Sequence, residues 1–309
     1  MHRPSRFRLT LAALALSATG GAAPALRPVA PPVTAGALEA PPNDEASGLA
    51  ASRRNPGLIW THDDSGGRPE LFAVDSQGRL RGILAIEGRR NEDWEDLAAA
   101  ELDGKPWLIV ADTGDNFAKR PHVWVHLVAE PSADRVSPTT PINERPAASL
   151  KVTYPDGARD CESLAVDTRE RAIYLLTKRD PVPRLYRVDI PSPLRDAEVT
   201  ARFIGEAGRL PQPTAAQKLV RGYLGEHRSW PTGMDFSADG SAAVVLTYGQ
   251  VLLFPRKQSE TWATAFAREP VMLPPHNLTQ AEATCFSVDG RAIYVASEKT
   301  RQLLRYDLR

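Results

Sequence analysis

The chain has 309 residues, enough for one large domain or two ordinary ones, and 42% of them are hydrophobic. Lysine plus arginine and aspartate plus glutamate number 38 each, so the formal net charge is zero. This balance does not favour binding to nucleic acid or to an anionic membrane surface. The 27 prolines and 21 glycines suit a fold with many turns. The apolar runs are short and bounded by turn residues, which indicates strands rather than helices.

Residues 1–25 have the pattern of a secretory signal peptide. Three arginines precede an apolar stretch at residues 9–16, and small residues follow it. The stretch is too short to span a bilayer comfortably, although an uncleaved anchor is the alternative. Residues 26–42 are rich in proline and predict an extended lead-in. We therefore expect a periplasmic or secreted protein, with no membrane insertion after signal cleavage.

Residues 43–309 carry one layout five times and predict a single domain. Each copy has a short strand that opens with a polar residue, a turn, an apolar strand, a polar loop and a third strand. Two copies contain FSADG (residues 236–240) and FSVDG (residues 286–290), where Asp-Gly provides the positive φ of a tight hairpin. The pattern predicts an all-β fold, a β-propeller of five blades with four antiparallel strands each. Six blades are the alternative, because residues 211–230 match no strand pattern.

The outer strands are less regular in sequence. Fourth strands are expected at residues 81–87, 148–154 and 199–204, and after the fourth repeat at residues 265–273. The fifth repeat ends after its third strand. We therefore expect the lead-in, at residues 33–38, to supply the outer strand of the last blade and to close the ring.

The two cysteines, Cys161 and Cys285, fall on predicted inner strands of blades that are not adjacent. A disulfide is possible in an oxidising compartment, but this placement favours two buried free thiols.

Several segments resemble a group of exported bacterial β-propeller proteins. These segments are EASGLA, THDDSG, DWEDLA, DTGDN and DCESLAVD, together with FSADG and FSVDG. The group is related to the WD40-like, esterase-like-phytase and NHL-type propellers, and the resemblance covers residues 43–309. It implies the propeller fold and says little about a reaction, since propellers host many functions. A looser similarity is to the calcium-activated nucleotidases, which are five-bladed and place glutamates at inner-strand openings around an axial calcium.

The predicted topology gathers polar residues on one face of the propeller. In an up-down-up-down blade, the start of the first strand and the loop between strands two and three lie at the same end, and first strands line the axis. The strand openings are Ser47, Glu95, Glu162, Thr232 and Glu282. The loops contribute His62, Asp63, Asp64, Asp112, Asp115, Asn116, Lys178, Arg179, Tyr248, Glu298 and Lys299. Asp93 and Asp160 are expected just above their glutamates.

The three axial glutamates need compensation, because like charges in a narrow channel raise one another's pKa. One hypothesis is a single divalent cation bound by Glu95, Glu162 and Glu282, with Ca²⁺ favoured over Mg²⁺. Zn²⁺ is not expected, because the group contains one histidine only. The other hypothesis is a structural network in which Lys178, Arg179 and Lys299 neutralise the glutamates.

Two functions follow from this face. The first is a ligand- or protein-binding or sensing module for a small molecule or an exported protein, with the ligand contacted by Asp112, Asp115, Asn116, Lys178, Arg179, Tyr248 and Glu298. The alternative is a calcium-dependent hydrolase of a phosphoester, ester or lactone. In the hydrolase, His62 is the expected general acid or base, oriented by Asp63 or Asp64. These loops are also rich in ordinary turn formers, so a purely structural role stays open. A monomer is expected.

Overall fold

The computed structural model describes residues 29–42 and 45–308. The predicted signal peptide at residues 1–25 lies outside these ranges. The described residues form five β-sheets around a common axis. Each sheet contains four antiparallel strands that lie side by side, from an inner strand at the axis to an outer strand. None of the helices within these ranges is long and apolar enough to cross a membrane.

Twenty-two strands and two short helical elements make up the described chain. The strands are β1 (Val33–Ala37), β2 (Ala46–Ala51), β3 (Leu58–Asp63), β4 (Glu70–Asp75), β5 (Leu80–Ile86), β6 (Trp94–Leu102), β7 (Lys105–Asp112), β8 (Val123–Ala129), β9 (Ile142–Glu144), β10 (Ala148–Thr153), β11 (Cys161–Asp167), β12 (Ala172–Thr177), β13 (Arg184–Asp189), β14 (Ala197–Thr200), β15 (Arg202–Glu206), β16 (Pro231–Phe236), β17 (Ala242–Thr247), β18 (Gln250–Pro255), β19 (Val271–Met272), β20 (Ala281–Phe286), β21 (Ala292–Ser297) and β22 (Gln302–Asp307). The helical elements are a 3-10 turn (Gln217–Leu219) and α1 (Trp262–Phe266).

The prediction of a five-bladed propeller is confirmed. From the axis outwards, the blades are β2–β3–β4–β5, β6–β7–β8–β10, β11–β12–β13–β15, β16–β17–β18–β19 and β20–β21–β22–β1. The alternative of six blades is wrong, because residues 211–230 form a connection that contains the 3-10 turn and no strand. The inner strands β2, β6, β11, β16 and β20 contact one another in that order, and β20 contacts β2. The ring is therefore closed.

Apolar side chains fill the spaces between adjacent blades. Five buried clusters each join two neighbouring sheets, and Trp60, Trp94 and Trp262 are among the largest fully buried side chains. Strands buried on both faces explain why the apolar runs are continuous rather than alternating. The Asp-Gly turns form as expected, since Gly240 and Gly290 have φ values of +66° and +67°.

The outer strand of the last blade comes from the N-terminal lead-in. Residues of β1 pair antiparallel with β22, from Val33 opposite Arg305 to Ala37 opposite Gln302. β1 lies within residues 33–38, the segment that the sequence predicts as the outer strand of the last blade. The last blade therefore joins the two ends of the described chain, and the exposed edge of β22 is covered.

The expected fourth strands at residues 81–87 and 148–154 correspond to β5 and β10. The other two expectations need correction. Residues 199–204 straddle two strands: β14 pairs in parallel with β10 on the edge of blade two, and β15 is the fourth strand of blade three. Residues 265–273 begin in α1, and only the two-residue β19 pairs with β18. Trp262 explains the helix, because its ring stacks on Phe236 at 3.6 Å between centroids and fills the space between blades three and four.

Two buried aspartates fasten inner strands together near the axis. Asp96 accepts backbone N–H groups from Leu97 at 2.8 Å, Leu164 at 2.7 Å and Met234 at 3.1 Å, and so joins blades two, three and four. Asp235 accepts from the backbone of Phe236 and Phe286, and so joins blades four and five. These bonds fill the middle of the axis with satisfied polar groups.

Cys161 on β11 and Cys285 on β20 are both buried and free. The preference for two free thiols over a disulfide is confirmed.

Candidate functional site

Each inner strand has an irregularity at its second residue. The register with the neighbouring strand shifts by one between Ala46 and Gly48 in β2, and at the equivalent position of the other four inner strands. The residues within these shifts are Ser47, Glu95, Glu162, Thr232 and Glu282. A bulge of this kind re-aims a side chain out of the sheet's alternation. The five polar residues predicted at the strand openings therefore share one backbone cause.

Lys178, which follows β12, provides a positive charge among the axial glutamates. Its side chain is 4% exposed and forms a salt bridge with Glu162. The Lys178 ammonium also lies 5.0 Å from the ring centroid of Tyr248, whose hydroxyl donates to Glu282 at 2.8 Å. Burial lowers the pKa of Lys178, but the charges of Glu162 and Glu282 outweigh this effect and hold it well above its usual value. Glu162 is thus paired with a buried cation, whereas Glu282 accepts from a neutral hydroxyl, and burial raises the pKa of Glu282 well above its usual value.

Glu95 instead joins two carboxylates on the rim between blades one and two. Carboxylate oxygens of Asp64, Asp93 and Glu95 all lie within 4.8 Å of one another. We call these three residues the rim cluster. Within residues 29–42 and 45–308, no side chain forms a salt bridge with Asp64 or Glu95, and the backbone N–H of Ser65 donates to Asp64. The rim cluster therefore concentrates negative charge that has no direct basic partner.

Gly114 makes the approach of these carboxylates possible. A Cβ atom at this position would lie 2.2 Å from Glu95 Oε1 and 2.4 Å from Asp93 Oδ2. The loop that follows β7 can pack against the cluster only because Gly114 has no side chain. This accounts for the glycine in the DTGDN segment.

The rim cluster holds protons more tightly than ordinary carboxyl groups. Burial, with the nearby charge of Asp93, raises the pKa of Asp64 to about 7. Burial, with the charge of Asp160, raises the pKa of Asp93 to about 6. Burial, with the charge of Glu162, raises the pKa of Glu95 well above its usual value. A proton or a cation bound between these oxygens would remove the repulsion.

A second group of close carboxylates, Glu95, Asp160 and Glu162, shares Glu95 with the rim cluster. Here basic groups are present, because Arg179 Nε lies 2.5 Å from Asp160 Oδ2 and Lys178 pairs with Glu162. The Arg179 guanidinium also donates to Asn116 and stacks 4.8 Å from the ring centroid of Trp230. Arg179 is consequently fixed from three sides while its side chain stays 34% exposed.

The loop aspartates of blade two serve the loop itself. Asp112 forms a 2.9 Å salt bridge with Arg120, and Asp115 accepts the backbone N–H groups of Lys119 and Arg120 at 2.8 Å each. On the neighbouring rim, Glu298 accepts from Gln280 and pairs with Lys299 at 2.7 Å. The ion-pair hypothesis therefore describes much of this face, and the rim cluster is the part that it does not describe.

His62 lies beneath the face rather than on it. The ring is fully buried, packs edge-on against Trp94 and donates from Nδ1 to the Asp63 carbonyl at 2.8 Å. Burial lowers the pKa of His62 to about 4, so the ring is neutral at pH 7. The Asp63 side chain is also buried, whereas Asp64 reaches the rim. This geometry does not favour His62 as a general acid or base.

The sequence alone did not identify some residues that contact the face. Arg120 neutralises Asp112 from eight residues further along the chain, and Gln280 contacts Glu298 from the connection before β20. For Asp96 and Asp235 a signal does exist: each is an aspartate inside an otherwise apolar inner strand. Such residues are expected only where backbone donors satisfy them.

No protein-family model and no curated protein matches the sequence. Among solved structures, the PQQ-bound aldose sugar dehydrogenase of Streptomyces coelicolor is similar, with a TM-score of 0.50 and 12% identity over 93% of this chain and 100% of that chain. The Neurospora crassa Pan2 WD40 domain gives a TM-score of 0.35 with 9% identity, over 85% and 63% of the two chains. The hydrazine synthase of Kuenenia stuttgartiensis gives 0.44 with 12% identity, over 85% and 96%. At such identities the likeness is one of fold alone.

Proposed function

We propose that this protein is a ligand-binding propeller, and that the rim cluster holds a divalent cation through which an anionic ligand is bound. The observation that carries the proposal is the convergence of Asp64, Asp93 and Glu95 within 4.8 Å, without a salt bridge to Asp64 or Glu95 from any described residue. Of the other two expected metal ligands, Glu162 pairs with Lys178, and Glu282 accepts a hydrogen bond from Tyr248. This favours a cation displaced from the axis towards blades one and two.

Calcium suits this site better than magnesium. Asp64 follows β3, Asp93 lies in the connection before β6, and Glu95 sits at the bulge of β6, which gives an irregular donor set. Ca²⁺ accepts six to eight oxygens in irregular geometry, whereas Mg²⁺ demands a near-ideal octahedron. The partial exposure of Asp64 and Asp93 leaves room for water or a ligand oxygen in the remaining positions. The half-exposed guanidinium of Arg179 stands on the same face, where it could add a contact to an anionic ligand.

The cation is tested with residues 26–309 after EDTA treatment, by titration calorimetry and thermal unfolding with Ca²⁺ and with Mg²⁺. We expect Ca²⁺ to bind, and at a hundred times its Kd to add about 2.7 kcal/mol to the free energy of unfolding. Asp93→Asn and Gly114→Ala should both weaken binding, the second because its Cβ displaces two ligands. Glu101→Gln removes one charge from an exposed position further along β6 and should bind as the unmodified protein does.

Absence of Ca²⁺ and Mg²⁺ binding would refute the cation, as would binding that is unchanged in Asp93→Asn. Once Ca²⁺ binding is established, the affinity of phosphate- and carboxylate-bearing compounds is measured with and without the cation. An anion held through Ca²⁺ must lose affinity when EDTA is present.

One observation keeps the calcium-dependent hydrolase as a second candidate. Asp64 and Asp93 are partly exposed, so a cation held by the rim cluster would keep open positions where it could polarise a substrate and activate water. Turnover of an aryl phosphate or a lactone that requires Ca²⁺ and disappears in Asp64→Asn would support it. Ligand binding without turnover would favour the binding module.

We also propose that the protein is exported to the periplasm or outside the cell. Calcium sites of extracellular modules bind with Kd values of about 0.1–1 mM, and a site of this kind would suit such a location.

A further inference from the structure

A cavity of about 270 Å³ opens beside the axial face, between blades four and five. Three segments wall it: the connection before β16, the turn between β17 and β18, and the connection before β20. It shares one residue, Tyr248, with the face described above and uses none of the rim-cluster carboxylates. Whatever binds here is therefore independent of the proposed cation.

Aromatic and apolar side chains form the body of the cavity. The rings of Tyr223 and Tyr248 lie 5.9 Å apart at an angle of 52°, and Leu224 and Leu278 line the same space. Tyr248 is fixed by its hydrogen bond to Glu282, so its position is defined before any ligand enters. Walls of this kind bury the flat face of a ring.

Arg228 provides a positive charge in the cavity without an acidic partner. Among the described residues, its guanidinium donates a hydrogen bond to the Gly249 carbonyl alone, at 3.5 Å, and no carboxylate forms a salt bridge with it. A Cβ atom on residue 249 would lie 2.8 Å from Arg228 Nε, so the guanidinium rests flat on the backbone of Gly249. The planar fork of donors is left available for an anion.

His276 lines the same cavity with a neutral ring. The residue is 6% exposed, and the backbone N–H of Leu278 donates to Nδ1 at 3.0 Å. Burial, aided by the charge of Arg228, lowers the pKa of His276 to about 4. The ring is therefore neutral with its proton on Nε2, which faces the backbone carbonyl of Thr247.

We infer that this cavity binds a small ring compound bearing a carboxylate or a phosphate, with the ring against Tyr223 and Tyr248 and the anionic group on Arg228. An arginine that pairs with no carboxylate of the described residues and two aromatic rings in one cavity match that class and no cationic one.

The probes are benzoate and phenyl phosphate, which separate a carboxylate from a phosphate, with acetate and benzyl alcohol as probes that lack the ring or the charge. Binding is measured by saturation-transfer NMR and titration calorimetry in EDTA, so that failure of the cation site leaves the result unaffected. We expect at least one of the two charged ring compounds to bind, and acetate and benzyl alcohol to bind at least about tenfold more weakly.

Arg228→Gln should weaken binding of the charged ring compound at least about tenfold, because a charged hydrogen bond is lost. Gly249→Ala should weaken it as well, by displacing the guanidinium while the charge is kept. Arg221→Gln, at an exposed position outside the cavity, is the matched control and should not change the affinity. The inference is overturned if neither charged ring compound binds, or if Arg228→Gln and Arg221→Gln have equal effects.

Discussion

At the scale of single residues, the buried ammonium group of Lys178 decides how the axial glutamates coexist. Its contacts with Glu162 and with the ring of Tyr248 place a positive charge among the glutamates for which the sequence predicts either a divalent cation or basic side chains. Burying several charges is costly, and the cost is offset only when each group has a partner. The residue therefore matters more to folding than an exposed lysine would.

Replacing Lys178 with methionine should destabilise the protein by about 3–5 kcal/mol at pH 8, the range for removal of one member of a buried ion pair. The loss should shrink at pH 5, because the glutamates left without the ammonium can take up protons. Urea unfolding at both pH values measures this. Lys151→Met, which removes an exposed pair with Glu198, should change stability by less than about 1 kcal/mol. Equal losses in the two variants would contradict the assigned role.

At the scale of the strand, the inner strands combine a bulge near their start with backbone donors that face the axis. The bulges present Ser47, Glu95, Glu162, Thr232 and Glu282 to the face. Deeper along the axis, Asp96 and Asp235 accept N–H groups from neighbouring blades. One end of each inner strand thus serves the site and the rest holds the ring together.

Asp235 should make the stability depend on pH. Burial raises its pKa to about 6, although Arg53 acts in the opposite direction. The unfolded carboxyl releases its proton near its ordinary pKa of 3.8. Between these values the folded state holds more protons, so the free energy of unfolding falls as the pH rises. Relative to Asp235→Asn, the unmodified protein should lose roughly 3 kcal/mol between pH 3 and 7.

Unfolding of both proteins across this pH range provides the test, with the exposed Asp189→Asn as control. A constant difference between Asp235→Asn and the unmodified protein would show that Asp235 titrates normally.

At the scale of the whole molecule, stability depends on closure of the ring by β1. The strand covers the edge of β22, and Leu38 and Ala40 just beyond it belong to the buried cluster between blades five and one. Gly36 lies against blade one, since a Cβ atom there would come within 2.0 Å of the Gln77 carbonyl oxygen. Closure thus joins β22 and blade one through one short segment.

Gly36→Ala should lower the free energy of unfolding by about 1–3 kcal/mol, because the added methyl group forces β1 away from Gln77. Amide exchange in β22 should rise more than in β13, which is in a blade that closes without β1. Gly208→Ala is the control, since its Cβ would sit 3.8 Å from Val182 at ordinary contact distance. Uniform acceleration of exchange in both strands would argue against a local opening of the last blade.

By itself, the sequence determined the five blades, the three inner strands of each, the source of the closing strand and the polar character of one face. These features follow from local signals: turn residues, apolar runs and a polar opening repeated five times. Each repeat contains these signals in full, because hydrophobic periodicity and the residue preferences of turns depend on only a few consecutive residues.

Only the tertiary structure decided which charged groups meet. Glu95, Glu162 and Glu282 look equivalent in sequence, yet Lys178 pairs with Glu162 while Glu95 joins Asp64 and Asp93. His62 and Asp64 are two residues apart, yet only Asp64 reaches the rim. These outcomes depend on bulges and on the path of loops from different blades. The bulges and loops bring together residues that are far apart in the chain, and a local sequence pattern does not specify which of these residues come into contact.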